Sequence, residues 1–152
     1  MNSQFILNYT GQKFKETKEL NNIDFSNYKT IVECFGGSFG FSRYLYEIKG
    51  LKDINYIIYD NDKELIDFYN YIKQLLNDNK FDDFINKYNY IMDYIKENFN
   101  YKGHERLIVN KTTKEYILNI EDKYLKFMLL KNIFRGGRST ISHKEKLKFL
   151  DG

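Results

Sequence analysis

Between Lys29 and Leu76 the apolar pattern alternates between strand-like and helix-like spacing, and this restricts the chain to an α/β arrangement over that stretch. "KTIVECF" (Lys29 to Phe35) is a short β-rich run closed by two glycines, which predicts a buried strand. "FSRYLYEIKG" then sets Phe41, Tyr44, Leu45 and Ile48 at helical spacing and stops at Gly50. "INYIIYD" (Ile54 to Asp60) is a second apolar run that ends on an acidic cluster. "KELIDFYNYIKQLL" (Lys63 to Leu76) returns to helical spacing, with Leu65, Ile66, Tyr69, Ile72 and Leu76 on one stripe. If the two strands are parallel neighbours, this opening is a right-handed βαβ unit.

The remainder reads as helical. Phe81, Phe84, Ile85, Tyr88, Met92, Ile95 and Phe99 step by threes and fours, so an amphipathic helix is expected over Lys80 to Phe99, its aromatic stripe facing a core. One last helix, around Lys114 to Phe134, carries Ile117, Ile120, Tyr124, Phe127, Met128 and Leu130 and breaks at "RGGR". No repeat or linker divides the 152 residues. The expectation is a single domain: a cofactor-binding βαβ-like part (1–76), a helical part (77–134) and a basic C-terminal segment (135–152).

Composition excludes several classes. With 42% hydrophobic and 30% charged residues the chain reads as globular, and no apolar run approaches the ~20 residues of a membrane helix. The N-terminus lacks the pattern of a secretion signal, and one cysteine, Cys34, excludes an internal disulfide. An intracellular protein, cytoplasmic or virus-associated, is therefore expected, with Cys34 a small buried apolar residue of the first strand. The two histidines, His104 and His143, lie far apart, and no zinc spacing is present. Lys131 to Lys148 holds six basic residues against one acid, a net +5 that suits either phosphate contacts or a solvated tail.

In a βαβ unit ligands settle beyond the carboxyl ends of the strands, at the first glycine-rich turn. Gly36, Gly37 and Gly40 allow close approach of backbone to ligand, and the amides opening the next helix would favour an anionic group. The spacing G-G-x-x-G is not the dinucleotide fingerprint G-x-G-x-x-G. Asp60, 20 residues beyond Gly40, stands where a carboxylate can accept hydrogen bonds from a ribose. It could equally cap the following helix, as could Asp62.

Three segments in order carry a resemblance: "YTGQK" (Tyr9 to Lys13), "IVECFGGSFGFS" (Ile31 to Ser42) and "YDNDKELIDFYNYIK" (Tyr59 to Lys73). Together they resemble successive motifs of the Dam-like adenine-N6 DNA methyltransferases, whose Y/W-x-G-x-K segment precedes an acidic-x-F-x-G-G/S loop and a strand ending in N-D-x-N before L-I-x-x-Y. Tyr59 and Asp62 stand where the family carries Asn. The resemblance implies a truncated Rossmann-like methyltransferase fold with a largely helical second half, and S-adenosylmethionine as cofactor. It implies Tyr9 and Lys13 lining the cofactor pocket, Glu33, Phe35, Gly36 and Gly37 as its methionine-side wall, and Asp60 on the ribose. The helical part falls where the family inserts DNA-recognition helices. "FRGGRSTISHKEK" resembles the family's basic F-N-G-x-x-R loop with its spacing off by a residue, which implies DNA contacts by Arg135 and Arg138.

The chain contains no proline, where an average chain of this length carries about eight. The family's D/N-P-P-Y/F motif holds the target amine with an acid or amide and a carbonyl stiffened by proline, and stacks an aromatic on the flipped base. That motif is absent here, so no catalytic residue is assigned. Three readings follow. The chain is part of an adenine methyltransferase whose partner polypeptide supplies the catalytic half, or a shortened relative that retains cofactor or DNA binding. The alternative is a non-catalytic structural or interaction protein, viral in one version, that reuses the fold.

Overall fold

The computed structural model describes Leu7, residues 16–99 and residues 111–134. A 3₁₀ turn at Glu16–Leu20 leads to strand β1 (Thr30–Cys34), whose run of β-branched residues is suited to a pleated surface. Strand β2 (Asn55–Tyr59) pairs with it in parallel, in register from Thr30 opposite Asn55 to Cys34 opposite Tyr59. The fold is thus mixed α/β, with a two-stranded parallel sheet and a largely helical second half.

One face of the sheet is covered. Ile31 and Glu33 point into the protein, while Thr30, Val32 and Cys34 are exposed. Val32 is 52% and Tyr59 60% exposed, although parallel sheets ordinarily bury both faces. The expected burial of Cys34 therefore fails. Burial in a strand depends on which face a residue takes, and Cys34 takes the uncovered one.

After the glycine loop, α1 (Gly40–Arg43) continues as a π-helical turn over Tyr44–Ile48. The chain then turns at Gly50, whose φ of 70° is left-handed, as the stop at that residue predicts. Tyr44 and Leu45 are buried and form a small core with Ile31. The wider π turn carries Ile48 off the expected stripe, leaving it 46% exposed.

Helix α2 (Lys63–Asn77) starts where expected, because the Asp62 carboxylate accepts the Leu65 N–H at 3.1 Å. Its buried stripe is Leu65, Phe68, Tyr69, Ile72 and Leu75, whereas Ile66 and Leu76 are half-buried. Both α3 and α5 pack on this helix, so its apolar face is broader than one stripe. Asn79, at φ 55°, turns the chain into α3 (Phe81–Phe99), which buries Phe81, Phe84, Ile85, Tyr88, Met92 and Ile95 as predicted.

The single helix expected over Lys114 to Phe134 is two, α4 (Lys111–Leu118) and α5 (Lys123–Phe134). Asp122 accepts the N–H groups of Tyr124 and Leu125, each at 3.0 Å, and so starts a new helix instead of continuing the old one. The core stripe moves accordingly to Leu125, Met128, Leu129 and Ile133. The break expected at "RGGR" lies outside the described residues.

Helices α2 to α5 enclose the main core, joined by Leu7, Phe39 and Ile58 from outside the bundle. The rings of Tyr71 and Tyr124 stack at 3.8 Å, and Lys123–Asp67 and Lys131–Asp62 ion pairs at 2.9 and 3.2 Å add polar ties between α2 and α5. Within the core, the Asn132 amide donates to the Tyr88 hydroxyl at 3.2 Å. Among the described residues no helix is long and apolar enough to cross a membrane.

Candidate functional site

The two strand ends bring Glu33, Phe35, Gly36, Gly37 and Asp60 together around one loop. Parallel pairing makes this unavoidable, since β1 and β2 both finish at the same edge of the sheet. The Gly36 N–H donates to the Tyr59 carbonyl at 2.9 Å, carrying the pairing one step past the strands. A Cβ on Gly36 would overlap the Cγ2 methyl of Ile58, so glycine is required there by close packing. Gly37 follows at φ 51°, a left-handed conformation that glycine adopts freely.

Two non-glycine residues in the loop share that conformation, Phe35 at φ 58° and Phe39 at φ 42°. Such backbone costs on the order of 1 kcal/mol or more at a bulky residue and is held by surrounding contacts. For Phe39 the contact is plain: its ring is 2% exposed and meets Tyr69 edge-on at 4.6 Å. Phe35 points the other way and is 81% exposed at the lip of the loop.

Two carboxylates hold the loop from beneath. Asp60 Oδ2 accepts the Gly37 N–H at 2.9 Å, and Asp60 Oδ1 accepts the Asp62 N–H at 2.9 Å. Glu33, buried near the end of β1, accepts the Phe41 N–H at 3.2 Å and the Ser42 N–H at 2.9 Å. The capping role that the sequence left open between Asp60 and Asp62 is divided. Asp62 caps α2, and Asp60 braces the loop.

This bracing corrects one expectation. The amides opening the helix after the glycines do not await an anion, because the Glu33 carboxylate already takes those of Phe41 and Ser42. Beside them the loop holds the half-buried Asp60 carboxylate. Each Asp60 oxygen accepts one N–H and retains capacity for a second donor, so the site suits hydroxyl or cationic groups.

Lys131 extends from α5 to the Asp62 carboxylate at 3.2 Å and lies over the Phe127 ring at 5.1 Å. Burial opposes ionisation of Asp62, but the Leu65 N–H and the Lys131 ammonium outweigh it and hold the carboxyl below its ordinary value. Sequence reasoning missed Ser42, whose fully buried Oγ has no hydrogen-bond partner among the described residues, and the left-handed Phe39. Neither carries a sequence signal, since glycine is the usual residue at positive φ and a serine in a helix gives no hint of its partner.

Tyr9, Lys13, Arg135 and Arg138 lie outside the described residues. Among the described residues no group of His, Cys, Asp and Glu side chains could hold a metal ion. Compared with protein-family models, characterised proteins and solved structures, the chain matches none.

Proposed function

We propose that the Gly36–Gly37 loop and Asp60 form a cradle for S-adenosylmethionine in a truncated Rossmann-like relative, or fragment, of the adenine-N6 DNA methyltransferases. The observation that supports it is the 2.9 Å bond from the Gly37 N–H to Asp60. It joins the acid ending the second strand to the glycine turn ending the first, where α/β sheets take ligands. The unused acceptor capacity of Asp60 suits the two hydroxyls of a ribose. Glu33 acts behind the loop as its brace, and Phe35 offers an exposed apolar wall beside it. Tyr9 and Lys13 enter this reading through the resemblance alone.

Turnover is not proposed for these 152 residues, which contain no proline and hence no D/N-P-P-Y/F motif. DNA contact through Arg135 and Arg138 and a second polypeptide bearing the catalytic motif complete the reading. A second reading, a non-catalytic interaction protein built on the same fold, is favoured by the uncovered sheet face at Val32 and Tyr59.

Titration calorimetry with S-adenosylmethionine or its demethylated product tests the cradle. Binding with a matching rise in melting temperature is expected, weakened about tenfold or more by Asp60→Ala. No heat and no thermal shift at millimolar ligand would remove the proposal and leave the interaction reading. Labelled methyl transfer to adenine-containing DNA by the purified chain would refute its inactivity. Affinity for DNA should fall with salt and with Arg135→Ala plus Arg138→Ala.

A further inference from the structure

A cleft of about 380 Å³ runs along β2 and the flank of α2; it reaches Phe39 of the glycine loop but is not lined by Gly37 or Asp60. Its floor is aromatic and aliphatic: Phe39, Tyr56, Ile58 and Tyr69 are buried or half-buried there, with Tyr46 on one wall. Its rim carries three exposed polar side chains, Lys52, Asn70 and Lys73. No acidic residue lines it among the described residues. Among the described residues neither lysine forms an ion pair, and Lys52 lies 5.9 Å from the centre of the Tyr46 ring.

An apolar floor with a few polar groups at the mouth is the usual make-up of a small-molecule site, and the volume lies within the range of ~300–1,000 Å³ such sites occupy. The lining narrows the ligand further. Two ammonium groups without acids favour a phosphate, the Asn70 carboxamide offers a donor and an acceptor to a base edge, and tyrosine rings suit a planar heterocycle. The Tyr56 hydroxyl donates to the Leu51 carbonyl at 2.7 Å, which fixes that ring in place. Burial, and then the neighbouring Tyr46, raise the Tyr56 phenol above its ordinary pKa, so it stays neutral.

The geometry points to a second site on this protein, a cleft that binds a phosphate-bearing nucleobase through Lys52, Lys73 and Asn70. It does not depend on the cradle proposed above, because none of Gly36, Gly37 and Asp60 lines it and its polar groups come from α2 and the segment before β2. The chemistry is shared by a free nucleotide and by one residue of a single-stranded nucleic acid.

Thymidine 5′-monophosphate is the probe, with the full chain followed by NMR. The expected result is saturable shifts of the Asn70 side-chain amide, with thymidine and inorganic phosphate each binding at least tenfold more weakly. Lys52→Gln with Lys73→Gln should weaken binding tenfold or more, while Lys52→Arg with Lys73→Arg should retain it. Both lysines are exposed, so these variants keep the fold, which circular dichroism verifies. A thymidine decamer that binds tighter than the mononucleotide with steep salt dependence identifies a nucleic-acid strand; equal affinities identify a free nucleotide. No shift at millimolar probe, shifts confined to Gly36, Gly37 and Asp60, or binding indifferent to the glutamine variants would each overturn the assignment. So would light scattering that shows the cleft filled by self-association along β2.

Discussion

Asp60 accepts the Gly37 N–H across 23 residues of sequence, and this one bond at 2.9 Å fastens the end of β2 to the turn that follows β1. A carboxylate bond to a partly buried amide is worth ~1.5–3 kcal/mol. Asp60→Ala should therefore lower stability by ~1–3 kcal/mol in urea denaturation, with Asp60→Asn losing less because its amide oxygen can still accept. An unchanged midpoint for Asp60→Ala would mean that the loop holds itself.

Gly36→Ala tests the closeness of the loop to β2. The added methyl meets the Ile58 side chain and should cost ~1–3 kcal/mol. Ile58→Ala removes the obstruction at the cost of a small cavity, so the double variant should be more stable than the sum of the single losses predicts. Strict additivity in denaturation midpoints would argue that the two residues do not touch.

The strands and α3 were legible in the sequence because a repeating pattern specifies them. Phe81, Phe84, Ile85, Tyr88, Met92 and Ile95 all fell where their spacing put them. Features set by one residue's local bonding were not legible. Asp122 splits the last helix by taking two N–H groups, and the π turn displaces Ile48, with no change in apolar period to announce either. At the site, the glycines and Asp60 were legible as a group, but the bracing role of Glu33 was not, because it depends on where the strand directs its carboxylate. The exposure of Cys34 depends on a second layer that the described residues do not provide, which is a long-range fact.

Asp62 gives the fold an acid-sensitive contribution. Its folded carboxyl lies below the ordinary 3.8, so ionisation favours the folded state. That contribution is complete above the unfolded value and disappears as pH falls through the lower folded one. Lys131→Met should cost ~1 kcal/mol near neutral pH and less in acid, so its deficit in urea midpoint holds down to the ordinary carboxylate range and narrows as pH falls below it, through the lowered folded value. A deficit independent of pH would show that Lys131 contributes only through packing on Phe127.

Cys34 should react with a thiol reagent in the native protein, at one equivalent and without denaturant, since it is exposed on the sheet face. Reaction only after unfolding would mean that this face is covered in solution, which would favour the interaction reading.

The two cores are unequal: Ile31, Tyr44 and Leu45 make one, and the interior of α2 to α5 makes the other. Elements with few buried contacts open at lower free energy than the whole molecule unfolds. The sheet end should thus breathe as a separate cooperative unit, its amides exchanging with solvent before those of α3. The glycine loop joins the two cores, with Phe39 buried in the helical core and Glu33 and Asp60 tying it to the strands, so a guest there would act as a local fastener. It would slow exchange in β1 and β2 while leaving α3 near its original rate, and its gain in global stability would level off once the helical core became the first part to open.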